Sequence, residues 1–154
     1  MALLLTGCGF HLRGMNDIPK WLNDVAIVMQ DANRDLETLL SDQLEAYHIN
    51  LCSDPTVARY WLIIERDEVH KEIGSISSTT TPRQYQLIYT VRFKLQRAKG
   101  SEIMPSSQVA VTRQVTINSD RMLGSTSEEA LLIREMRRDA AIQIIGRVSR
   151  AHDR

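Results

Sequence analysis

Apolar and polar positions alternate most cleanly in the middle of the chain. Tyr85, Leu87, Tyr89, Val91, Phe93 and Leu95 take turns with Gln86, Thr90, Arg92, Lys94 and Gln96, and only Ile88 breaks the order. A period of two sends successive side chains to opposite faces, so this stretch predicts a strand with one dry and one wet face. Beyond a turn at Ala98-Lys99-Gly100-Ser101, Val109, Val111, Val115 and Ile117 repeat the phase and predict an antiparallel partner. Upstream, Val25 to Met29 reads as a short buried strand after Trp21-Leu22-Asn23-Asp24. Tyr60 to Ile64 opens another, which turns charged through Glu65-Arg66-Asp67-Glu68 and runs on to Ile73 with a more exposed second half. Ser53-Asp54-Pro55 marks a turn, and residues 74–82 a polar connection.

Two stretches switch to helical spacing. Asn33 is a predicted N-cap, and Leu36, Leu39, Leu40, Gln43, Leu44 and Tyr47 follow it, predicting a helix over 34–47. Ser125-Thr126-Ser127-Glu128 reads as a capping box, with Glu128 and Glu129 at the positive end of the helix dipole. Leu132, Ile133, Met136, Ala140, Ile144 and Val148 then form an apolar stripe, with Arg147 and Arg150 at the negative end. The order β-α-β-β-β-α predicts an α+β fold: a two-layer sandwich, two helices packed on one face of a four-stranded mixed sheet. A single domain is expected over residues 21–154.

Composition narrows the partners. The chain has 154 residues, enough for one ordinary core, with 43% hydrophobic and 25% charged positions. Lys+Arg and Asp+Glu both number 19, so the basic excess of a nucleic-acid binder is missing and no nucleic-acid partner is expected. No apolar run approaches the ~20 residues of a membrane-crossing helix. Cys52 lies in Ile49-Asn50-Leu51-Cys52-Ser53-Asp54-Pro55, a strand end or loop, and is expected to remain an unpaired apolar group.

The start of the chain changes the picture. Leu5-Thr6-Gly7-Cys8 has the order of a bacterial lipobox: aliphatic, small, Gly, Cys. A thiol is needed for alkylation by diacylglycerol, and small neighbours let the backbone enter the signal peptidase. Residues 1–7 are therefore expected to be the remnant of a signal peptide, Cys8 the lipidated residue and 8–20 a lipidated tether. More than one acyl chain makes such an anchor stable, and each buried CH₂ contributes ~0.8 kcal/mol. A leader should also carry a basic n-region and a longer apolar stretch. Only Met1 to Leu5 precede Thr6, so a clipped leader is expected. Gly9 in place of Asp after the cysteine favours the outer membrane. The competing account is an N-terminal strand with an incidental thiol.

Catalytic chemistry has little foothold. His11, His48, His70 and His152 form no H-x-x-x-H or Cys/His cluster, so neither metal nor cofactor is expected. Neither G-x-S-x-G nor a phosphate-binding G-x-x-x-x-G-K-[ST] loop occurs, and Glu65 and Asp67 alternate with Arg66 as on a solvated strand face. The chain is not expected to be an enzyme. Arg113 stands out, because it falls in the inward phase of Val109-Val111-Arg113-Val115-Ile117. An unpaired buried guanidinium is costly. Three accounts are open: a β-bulge, a sheet end where the side chain reaches water, or an anion contact. Arg83, Arg92, Lys94 and Arg121 fall on neighbouring strand or loop positions and would complete a basic rim suited to a phosphorylated glycolipid.

Several of these residues meet in one family. Gly7-Cys8-Gly9-Phe10-His11-Leu12-Arg13 resembles the G-C-G-[FW]-x-L-R start of the mature LptE lipoproteins of lipopolysaccharide assembly. Tyr85-Gln86-Leu87-Ile88-Tyr89-Thr90-Val91 is similar to that family's central strand, and Arg134-Glu135-Met136 with Asp139-Ala140-Ala141 to its closing helix. The resemblance implies two helices on a four-stranded sheet, lipid-anchored at the periplasmic side of the outer membrane. It implies a 1:1 complex with the LptD β-barrel, which LptE plugs and helps assemble while lipopolysaccharide passes to the outer leaflet. It also implies contact with lipopolysaccharide through basic side chains, for which Arg83, Arg92, Lys94, Arg113 and Arg121 are the candidates. The rival readings are a stand-alone lipoprotein that binds lipopolysaccharide and an envelope hydrolase.

Overall fold

The computed structural model describes residues 21–75, 83–117 and 122–151. Its elements run β1 (Val25–Asp31), α1 (Arg34–Ala46), β2 (Tyr60–Ser75), β3 (Arg83–Arg97), β4 (Glu102–Ile117) and α2 (Met122–Val148). The strands form one mixed sheet in the order β1-β2-β3-β4. β1 runs parallel to β2, with Val25 opposite Tyr60, and the β2-β3-β4 meander is antiparallel. The parallel pair needs a crossover, which α1 supplies. The helices pack against the sheet, so the α+β sandwich expected from the apolar pattern is the fold.

Its core is the dry face of the alternation. Leu87, Tyr89, Val91, Phe93 and Leu95 of β3 are fully buried. They pack with Leu62 and Ile64 of β2, Val109 and Val111 of β4, Leu36, Leu40 and Leu44 of α1, and Met136, Ala140 and Ile144 of α2. Burying one leucine is worth about 1.5–3 kcal/mol, so the leucine stripe of α1 anchors that helix. Asn33 caps it: its side-chain oxygen accepts from Asp35 N at 2.8 Å, and its own N–H donates to Asp67 Oδ1 at 2.8 Å. Asn33→Ala is expected to lower the unfolding free energy by about 1 kcal/mol, read as a shifted urea midpoint with unchanged slope.

A register shift between Ile64 and Arg66 sets what β2 shows the helices. Unbroken alternation would turn Arg66, Glu68, His70 and Glu72 inward. The bulge leaves Glu65 out of the ladder, and Asp67, Val69, Lys71 and Ile73 continue the inward phase instead.

Three expectations need correction. β4 begins at Glu102, seven residues before the Val109 start of the apolar alternation. Pro105 and two serines disguise its first half, yet β4 is an edge strand, where proline is tolerated. α2 begins at Met122, so Ser125 to Glu128 lie inside the helix rather than capping it. Once a helix is nucleated, each further residue adds a backbone hydrogen bond, which carries it through Gly124 and the serines. Finally, no bulge occurs at Arg113: Gln114, Arg113 and Thr112 pair in unbroken register with Gln86, Leu87 and Ile88.

Candidate functional site

The sheet face away from the helices is open and polar. Across its middle run Glu68, Thr90 and Ala110; His70, Ile88 and Thr112; and Glu72, Gln86 and Gln114, each trio in register on β2, β3 and β4. All are exposed or half-buried. Towards β1 the same side is closed, with Ala26 and Ile63 buried and the Trp61 indole donating to Pro55 O at 2.7 Å. No polar or charged residue is buried among the described residues. The open face is therefore a polar surface carried on the β2-β3-β4 ladder.

The basic candidates do not share one surface. Arg92 is exposed on the open face, and Lys94 lies two residues along the same strand, with Nζ 3.8 Å from Glu65 Oε1. Glu65 Oε2 also accepts from Ser106 Oγ at 2.5 Å, so the carboxylate left out by the bulge ties β2 to the edge strand. Arg113 is on the helix side, where Nη2 meets Asp139 Oδ2 of α2 and Nη1 donates to Thr112 O at 3.0 Å. A facing carboxylate thus explains an inward arginine, and with 41% and 38% of the two side chains exposed the pair adds under about 1 kcal/mol. Arg83 opens β3 opposite Ile117. Cys8 and Arg121 lie outside the described residues.

A second polar group joins the layers. Tyr89 Oη donates to Asp67 Oδ2 at 2.8 Å, and the Arg137 guanidinium lies over the Tyr89 ring at 6.0 Å. Arg137 Nη1 reaches Asp35 Oδ2 at 3.2 Å, while its buried Nε has no hydrogen-bond partner. Nearby, Lys71 bonds Glu129 at 2.7 Å and sits 5.0 Å from the Tyr85 ring centroid. These contacts clamp α1 and α2 to the sheet. Sequence reading missed them, because the bulge decides which β2 residues turn inward; an inward tyrosine needing a partner for its hydroxyl was the available signal.

Burial, then the bond to Asp67 and its negative charge, push the Tyr89 phenol far above its ordinary range, with Arg137 opposing. The folded state therefore holds this proton more tightly than the unfolded chain. Its contribution is intact below the ordinary tyrosine value of about 10 and is lost as pH rises above it. In alkaline urea titrations, wild-type stability should fall faster than that of Tyr89→Phe. Parallel curves would contradict the assignment.

Among the described residues, no group of His, Cys, Asp and Glu is placed to hold a metal ion. No described helix is long and apolar enough to cross a membrane. The same fold is seen in solved bacterial lipoproteins. The chain superposes on the uncharacterized lipoprotein B of Nitrosomonas europaea with TM-score 0.74 and 24% identity, covering 92% of this chain and 90% of that one. It superposes on a minor lipoprotein of Acinetobacter baumannii with TM-score 0.70 and 21% identity, covering 83% and 91%.

The family follows from sequence. The LptE model, described as lipopolysaccharide-assembly, matches residues 22–148, and the chain belongs to that family. Among its relatives is the LPS-assembly lipoprotein LptE of Pectobacterium atrosepticum, 28% identical over 94% of this chain and 79% of that protein. The LptE of Yersinia pestis strain Pestoides F is 29% identical over 99% and 73%. Membership places the chain in lipopolysaccharide assembly.

Proposed function

We propose that this chain is a non-catalytic outer-membrane lipoprotein, acylated at Cys8 and tethered by residues 8–20. It plugs and helps assemble the LptD β-barrel, one copy per barrel, as lipopolysaccharide moves to the outer leaflet. The observation that carries this reading is the family match across residues 22–148. The open face supports it. Large outer-membrane barrels have polar interiors, and the open face offers such a wall Gln86, Thr90, Thr112 and Gln114 for hydrogen bonds and Glu68, Glu72 and Arg92 for ion pairs. Lipopolysaccharide contact is assigned first to Arg92 and Lys94, which share the open face, then to Arg83 and Arg121; Arg113 ranks last because Asp139 engages it.

Co-expression with LptD tests the reading. A salt-resistant complex of one chain per barrel is expected on size exclusion, with Arg92→Gln/Lys94→Gln lowering lipopolysaccharide retention more than it lowers retention of the barrel. Elution of the chain wholly as a monomer contradicts the plug.

A further inference from the structure

The end of the sheet where β2 begins and β3 ends holds a cavity of about 290 Å³ lined by Ala58, Arg59, Tyr60, Arg97, Ala98 and Lys99. Most of its exposed wall is apolar, and three of these six residues carry cationic side chains. The frame is rigid: Ala98 N–H donates to Arg59 O at 2.9 Å, and Arg59 N–H to Asp24 O at 2.8 Å. The turn closes through Gly100 N–H to Arg97 O at 2.8 Å, with Gly100 at φ +89°, a conformation that suits glycine. Lys99 therefore sits at an exposed turn beside Arg59. Arg59 does have a counter-ion, since its Nε is 3.5 Å from Asp24 Oδ2, but 76% of the Arg59 side chain is open to solvent. Such a pair is weak and leaves the charge available. Arg97 Nη1 lies 3.4 Å from Ser101 Oγ.

The position of this cavity gives it meaning. Tyr60, on its wall, stacks edge-on against Trp21 with ring centroids 5.3 Å apart, and Trp21 is where the segment carrying Cys8 enters the domain. Cys8 precedes Trp21 by 13 positions, a reach of at most about 45 Å when fully extended. The opposite end of the sheet is farther from Trp21 by the length of a 16-residue strand, roughly 50 Å. The basic end is therefore the one nearer the point where the tether joins, and the tether lets it meet the bilayer. Net charge is zero, so an anionic surface would be recognised by this cluster and not by the chain's overall charge.

We infer that Arg59 and Lys99, on the wall of this cavity, seat the phosphate of an anionic glycerophospholipid headgroup in the leaflet that holds the acyl anchor, orienting the domain on that surface. The inference rests on the lipidation of Cys8 proposed above. Each basic side chain near an anionic surface contributes about fivefold in partitioning.

The test uses the unacylated full chain, so that headgroup binding is read without the anchor and independently of LptD co-purification. Flotation with phosphatidylglycerol–phosphatidylcholine vesicles at low salt should recover the chain, and pure phosphatidylcholine vesicles should not. Arg59→Gln/Lys99→Gln should lower partitioning about 25-fold, while Arg134→Gln/Arg138→Gln, equal in charge removed but on exposed positions of α2, should change it little. Circular dichroism checks that both variants are folded. Equal recovery on the two vesicle types, or equal losses in the two variants, overturns the assignment. Displacement from the vesicles by millimolar inorganic phosphate overturns it in favour of a soluble phosphate site. Failure here with LptD assembly intact removes the headgroup seat alone, whereas loss of assembly with headgroup binding intact removes the plug.

Discussion

Phe93→Ala is expected to cost about 3–5 kcal/mol of unfolding free energy, a large share of the 5–15 kcal/mol typical of a whole domain. Phe93 is fully buried at the middle of β3, in register with Ile64 of β2 and Ser107 of β4. Truncation opens a cavity between the layers. The flanking Val91 and Leu95 are themselves fully buried, so the strand cannot slide to fill it without exposing them. Urea unfolding followed by circular dichroism reads the effect. A loss below about 1 kcal/mol would mean that β3 is not the centre of the core.

The second large effect falls on assembly and leaves folding alone. Ala110 is exposed on the open face, opposite Thr90. Tryptophan there lies over exposed neighbours and displaces no buried side chain in the isolated domain, so its stability should stay within about 0.5 kcal/mol. Against a packed barrel wall the same bulk must displace side chains, and overpacking costs about 1–3 kcal/mol. If the barrel covers this face, the complex with LptD should weaken at least about fivefold, measured as the fraction of chain retained on tagged barrel. Full retention of Ala110→Trp would show that the barrel does not cover this face.

Much of the scaffold was legible because its signals are local. Asn33 lies next to the helix it caps, and the alternation from Tyr85 to Leu95 needs no distant partner to be recognised. What stayed hidden depends on residues far apart in the chain. Arg113 looked anomalous until α2 placed Asp139 against it, 26 positions away. The bulge at Glu65, which turns Asp67 and Lys71 inward, has no marker of its own in a run of alternating charges. The apolar alternation that marks β4 is missing around Pro105, a residue that the edge position of the strand makes acceptable. The candidate site was harder still. A list of basic residues carries no information about faces, and the fold puts Arg92 and Lys94 on one side of the sheet and Arg113 on the other. The cluster of Arg59, Arg97 and Lys99 was invisible for the same reason, since the start of β2 and the end of β3 meet only through register.

The most direct test of the central claim is photocrosslinking in intact cells from positions 86 and 112, both on the open face. If the chain plugs the barrel with this face against its wall, each position yields an adduct of the mass of the chain plus LptD. A folded, acylated chain that gives no LptD adduct from either position would contradict the account.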